Sequence, residues 1–323
     1  MKTLTNLKNL LLVAAALLMA NVGWAQSYPN RPIKLVVPYP PGQGTDLLSR
    51  IIAERVSASI GQQVVVENRP GAGANIGTEF VAKALADGYT LLMGTNATHA
   101  MNPAMYASIP FDPIRDFAPI MIVGTLPMVL SANSAFPAAS LKEVIAQARA
   151  KPNTVNVALP SNTARVVLEL LKQADGADLF GIPYKGSGAA LTDLIGGQVQ
   201  LMIDTATATM AQASAGKIRA IAISTTQRTE IAPNLPTFAE SGVPGFDIAG
   251  WNALFAPRGT PPEIVNLLNA EVAKALAQPE VRQRILRMGS EPGGGSPEKL
   301  KAFVESEVQR WGNLIRKAGI RAD

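Results

Sequence analysis

Apolar positions along the chain follow two alternating rhythms. Residues 33–38 form a continuous apolar run of strand length, and in 45–60 Leu47, Leu48, Ile51, Ile52 and Val56 recur at helical spacing on one side. The exchange then repeats as a strand over 64–67, a helix over 75–86, a turn at Asp87, Gly88 and Tyr89, and a strand over 90–93. A Ser140/Glu143 capping pair opens a helix over 141–150. Strands over 155–158, 181–184, 199–203 and 220–224 follow, interleaved with helices over 164–173 and 189–195. Three helices end the chain, one from the Thr260/Glu263 capping pair to about 277, the others over 281–288 and 297–317. Strand–helix repeats imply an α/β protein whose sheets are mostly parallel and flanked by helices. A helical tail after two such blocks predicts a chain that returns to complete its first domain. The crossings fall near 126–133 and around Gly250.

The first residues break this pattern. Lys2 and Lys8 precede an unbroken apolar run over 10–20, and small residues stand at Gly23 and Ala25. This is the layout of a secretory signal peptide (1–25), too short to span a bilayer, with cleavage predicted between Ala25 and Gln26. The protein is therefore expected to be exported. With no cysteine in the 323 residues, a lipid anchor on a cysteine, disulfides and thiol chemistry are excluded. Two of the basic residues behind the net charge of +5 lie in the leader, and no basic stripe or aromatic platform accompanies the rest, so nucleic acid is not an expected partner. The mature length suits two domains, predicted as 26–127 plus 251–323 and 128–250.

Candidate chemistry gathers where strands meet helices. "PYPPGQGTDL" follows the first strand and "NRPGAGANIG" the second. Neither has the spacing of a dinucleotide or phosphate loop, since position 47 is leucine in the first and the second reads GxGxxxG. Both nevertheless aim helix N-termini, with partial positive charge, at the strand ends where such sheets bind ligands. Candidate binding residues there are Tyr39, Pro41, Gly44 and Thr45, then Gly71, Ala72, Gly73 and Ala74, with Thr95 and Asn96 after the next strand. From the second block come Ser161, Asn162 and Thr163, together with Arg165, whose cation has no helix-dipole reason to sit near a helix start. Asp204 ends an apolar strand, either capping the next helix or touching ligand. His99 is the only histidine, which leaves no Ser–His–Asp set or histidine metal cluster; it more naturally lines a loop. No catalytic residue, metal or cofactor is predicted.

The segments "YPNRPIKLVVPYPPGQGTD", "VVVENRPGAGANIG", "DGYTLLMGTNATHAMNP", "FDPIRDFAPI", "PYKGSGAALTDLIGGQV", "GKIRAIAIST" and "LPTFAESGVPGF" occur in this order. Together they resemble the Bug proteins, periplasmic solute-binding components of tripartite tricarboxylate transporters. The resemblance implies a two-domain Venus flytrap of the type II periplasmic-binding-protein fold, located in the periplasm. It also implies a small carboxylate ligand held partly through bridging waters, and partners in the large and small membrane permease subunits. Two departures stand out. Ala74 replaces a glycine of the usual trio, and Arg165, in "PSNTAR", stands where a histidine usually ends a glycine/serine-rich stretch. An extracytoplasmic sensor signalling to a membrane kinase has the same fold. An exported α/β hydrolase is disfavoured by the lack of a GxSxG elbow. A dicarboxylate, an aromatic acid or an amino acid fits such a cleft equally.

Overall fold

The computed structural model describes residues 28–321; the predicted leader and its cleavage junction lie outside them. The first lobe opens with β1 (Ile33–Val37), α1 (Gly44–Ile60), β2 (Val64–Asn68), α2 (Asn75–Ala82) and β3 (Thr90–Thr95). α2 stops short of the expected residue 86. The chain tightens as Ala84 N–H donates to Val81 O at 3.0 Å, and Leu85 then points outward at 77% exposure, so no buried face continues the helix. One wide helical turn (Ala97–Met101) and the short α3 (Asn102–Met105) lead to β4 (Phe117–Asn133), a strand of 17 residues.

The second lobe follows the expected alternation: α4 (Leu141–Ala150), β5 (Asn156–Leu159), α5 (Asn162–Asp175), β6 (Phe180–Pro183), α6 (Ser187–Ile195), β7 (Leu201–Thr205), α7 (Ala206–Ser214) and β8 (Ile218–Ile223). The chain returns along β9 (Ala249–Pro257) and finishes with α8 (Pro262–Ala277), α9 (Pro279–Arg287), β10 (Glu291–Gly294) and α10 (Pro297–Ala318). Ser140 caps α4 as expected, its hydroxyl accepting from Glu143 N–H. The Thr260/Glu263 pair does not form: Thr260 Oγ1 donates to Pro257 O at 2.8 Å, and Pro261 takes the cap position.

Parallel pairing joins β1 to β2 and β3 in one lobe, and β5 to β6 and β7 in the other. The sheets as wholes are mixed, because the chain leaves the first lobe on β4 and returns on β9, which must run in opposite directions. β4 pairs antiparallel with β9 as far as Pro127, then with β7 and β8 from Met128 or Val129 onward. One strand thus belongs to both sheets. The core continues through this junction, with Met128, Leu130, Trp251 and Trp311 in a single buried cluster. Buried Glu307 of α10 accepts hydrogen bonds from the indoles of Trp251 (2.9 Å) and Trp311 (2.8 Å) and from Arg310 Nε (2.7 Å). Arg310 also donates to Asp247 O, so the last helix is tied to the start of the returning strand.

Candidate ligand-binding cleft

The first glycine turn is built around a carboxylate. Asp46 is 1% exposed, and its Oδ2 accepts from Gly42 N–H (2.8 Å) and Arg50 Nε (3.0 Å). Its Oδ1 accepts from Asn68 Nδ2 (2.9 Å), which also donates to Tyr39 O (3.0 Å). Burial alone would raise this carboxyl; Arg50, the Gly42 N–H and Asn68 together hold it below its ordinary value. The result is a fixed loop that delivers α1 with no side-chain cap at Gln43, leaving its first N–H groups for another acceptor.

The second turn is more contorted. Residues 71–74 all have positive φ (129°, 46°, 62° and 79°), including two alanines. A residue with a side chain loses roughly 1–2 kcal/mol in that region, so surrounding contacts must hold it. Asn102 Nδ2 donates to Gly73 O (2.8 Å) and Asn75 Oδ1 (2.7 Å), and Thr78 Oγ1 donates to Ala74 O (2.8 Å). A Cβ on Gly73 would lie 2.2 Å from the Tyr106 hydroxyl, so only glycine fits there. α2 also begins without a side-chain cap.

The second lobe faces these turns with three more helix starts. Ser161 caps α5 through Oγ, whereas α6 and α7 begin at Gly186 and Thr205 with no side-chain cap. The starts of α1, α2, α5, α6 and α7 all border one cavity of about 840 Å³, within the size range of small-ligand sites. Among its lining residues Lys185 is the one cation and Asp204 the one carboxylate. Aligned N-termini favour an anion in such a space without many charged side chains. Tyr39 Oη shares a hydrogen bond with Thr95 Oγ1 (2.9 Å), and Asn96 Nδ2 donates to Thr163 Oγ1 (3.3 Å) across the cleft. Burial raises the Tyr39 phenol above its ordinary value.

Of the residues predicted from sequence, Tyr39, Gly44, Thr45, Gly71, Gly73, Ala74, Thr95, Asn96, Ser161, Asn162, Thr163 and Asp204 line this cavity. Pro41, Ala72 and Arg165 do not. Pro41 and Ala72 are exposed at the outer corners of their turns. Arg165 lies three residues beyond Asn162 on the same helix face, and its Nη1 donates to Asn162 Oδ1 at 3.4 Å. Asp204 does not cap α7. Sequence reasoning missed Asn102, Tyr106, Lys185, Ser187, Thr207 and Asn252, which also border the cavity. Only Lys185 and Ser187 carried a signal, the "KGSG" that opens a helix.

His99 belongs to the core rather than the cleft. It is fully buried and stacks on Phe255 with ring centroids 4.0 Å apart, and its Nδ1 pairs with Thr98 Oγ1 at 2.8 Å. Burial lowers its pKa to about 3, so the ring is neutral. A Cβ on Gly94 would come 2.6 Å from this ring, which explains the glycine within β3.

Comparison with known proteins agrees with this geometry. Protein BugT of Bordetella pertussis is 40% identical over 300 residues, 92% of each chain. Rpa4515 of R. palustris, solved with adipate, is 40% identical with a TM-score of 0.81, covering 91% of this chain and 99% of that one. MatC of Rhodopseudomonas palustris, solved with bound malate, is 34% identical with a TM-score of 0.75, covering 89% of this chain and all of that one. The profile of the tripartite tricarboxylate transporter family receptor matches residues 48–320. The chain accordingly belongs to the tripartite tricarboxylate transporter receptor family, whose members are periplasmic solute-binding receptors and not enzymes.

Proposed function

We propose that this protein captures a small carboxylate between its lobes and delivers it to the large and small permease subunits of a tripartite tricarboxylate-type transporter. The observation that carries this reading is the convergence of five helix starts, four of them without a side-chain cap, on one cavity with a single lining cation. The adipate and malate in related structures support a carboxylate as the anion. The first carboxylate sits against the turns at residues 43–45 and 71–74, and Thr95, Asn96 and Ser161–Thr163 close over it from both sides. Export through the leader and cleavage after Ala25 belong to the same proposal. So do domain limits of 26–127 plus 251–323 and 128–250, supported by the change of β4 partners after Pro127.

Lys185, on the cavity wall, and Arg165, one turn behind its rim, are assigned to the far end of the ligand on closure. A thermal-shift screen against small mono- and dicarboxylates tests the reading. A ligand at 100 times its Kd stabilises by about 2.7 kcal/mol, a shift of a few degrees in a chain of this size. A folded protein that no carboxylate stabilises would refute it.

A further inference from the structure

Two polar side chains in the cleft are buried without the partners that buried polar groups normally have. Asp204, at the end of β7, is 3% exposed. Its Oδ1 accepts from Thr205 N–H at 2.7 Å, but among the described residues its Oδ2 has no partner in hydrogen-bond geometry, although the Ser187 hydroxyl stands beside the carboxyl. Asn252, on β9, is 1% exposed, and neither its Oδ1 nor its Nδ2 is bonded among the described residues. Both residues line the cavity. They stand on opposite sides of the lobe junction, one on β7 and one on the returning strand.

The two groups ask for different things. An ionised Asp204 Oδ2 can only accept, whereas an amide offers one accepting and one donating end. The remainder of the cavity is rich in donors, with uncapped helix starts and Lys185, so one ligand carboxylate is already provided for. A second bare carboxylate against Asp204 would place acceptor against acceptor and anion against anion. A hydroxyl or ammonium there would satisfy Oδ2 and, in the hydroxyl case, could also accept from Asn252 Nδ2. Burial raises the Asp204 carboxyl above its ordinary value, an effect that the neighbouring Ser187 hydroxyl and the Thr205 N–H oppose. A ligand donor would oppose it further by stabilising the ionised form.

We infer that the cleft selects carboxylates bearing a hydrogen-bond-donating substituent, hydroxyl or ammonium, which Asp204 Oδ2 accepts, and discriminates against unsubstituted diacids of equal length. This rests on the carboxylate reading above. Calorimetric titration with matched trios tests it: succinate, malate and aspartate, then glutarate, 2-hydroxyglutarate and glutamate. In at least one trio a substituted acid should bind at least about tenfold tighter than the bare diacid, the scale of one hydrogen bond to a charged group. The hydroxyl and ammonium arms show which donor is used. Asp204→Leu, which keeps the branch at Cγ but is larger and has no acceptor, should shrink the preference to within about threefold. Thermal unfolding shows whether that variant is folded, and the wild-type comparison needs no variant. Bare diacids binding as tightly as their substituted partners at both lengths, or a folded Asp204→Leu that keeps the preference, would overturn the inference alone. A folded wild type that binds no carboxylate at all would overturn both it and the proposed function.

Discussion

Acidification from pH 7 to pH 5 should weaken the fold through one residue, His99. In the unfolded chain the imidazole takes a proton near its ordinary value of 6.5, whereas burial in the fold lowers this to about 3. Between those values the unfolded state binds more protons than the folded state, so stability falls as pH falls. At pH 5 the unfolded ring is almost wholly charged and the folded ring is neutral, and the difference comes to about 2 kcal/mol. Among the described residues Nε2 has no partner that would compensate, and Phe255 and Phe117 pack against the ring. Urea unfolding at pH 7 and pH 5, on wild type and His99→Gln, measures the term. His99→Gln should be destabilised at pH 7 by lost stacking, yet lose less than about 0.5 kcal/mol between the two pH values. Because His99 is the only histidine, the difference between the two chains isolates it from the carboxylates, Asp204 included. Equal pH dependence in both would refute the reasoning. Ligand affinity per folded molecule should be unchanged in His99→Gln, because the ring does not border the cavity.

Four further outcomes are expected. Gly73→Val should abolish carboxylate binding and lower the melting temperature, because its Cβ meets the Tyr106 hydroxyl at positive φ. Gly44→Val should abolish binding with little change in melting, since a Cβ there meets only Leu126 Cδ2 at 3.9 Å. Asp46→Asn should destabilise by about 1–3 kcal/mol at neutral pH in thermal melts. The wild-type advantage should be present above the ordinary carboxylate value of 3.8 and lost as pH falls below it, because the folded carboxyl is held low. Finally, calorimetry should show Lys185→Ala weakening ligand binding about tenfold, and more than Arg165→Ala does, because only Lys185 borders the cavity here. The reverse order would restore Arg165 as the principal cation.

What the sequence disclosed follows from how local each feature is. The turns at 42–44 and 71–74 were legible because glycine clusters between an apolar run and a helical one leave few conformations open. β4 was not. Pro119, Gly124 and Pro127 interrupt its apolar run, and the pairing with β9 absorbs two of them in register shifts near Pro119 and Gly124. A Cβ on Gly124 would meet Ser290 Oγ at 2.7 Å, so that glycine serves β10 and not a turn. Asn252 and Tyr106 were invisible for another reason: their place in the cleft depends on which distant strands become neighbours. Arg165 shows the limit of motif position, because helical phase turns its side chain back along α5 toward Asn162.

The ribbon of β4 and β9 has a kinetic consequence. The chain passes between the lobes along this pair, and the two strands are hydrogen-bonded to each other up to the crossing, with Thr125 opposite Trp251, Leu126 opposite Gly250 and Pro127 opposite Ala249. Such a pair behaves like a leaf spring, stiff to stretching and sliding but compliant to bending out of its plane. The closure proposed above would then require no backbone hydrogen bond to break, and the lobes would keep one soft axis instead of a free linker. Solvent drag and the contacts across the mouth, such as Asn96 to Thr163, set the pace, which places the motion in the μs–ms range of hinge movements. A pair of fluorophores on the two lobes would follow it as a single relaxation, faster than any step that melted the sheet.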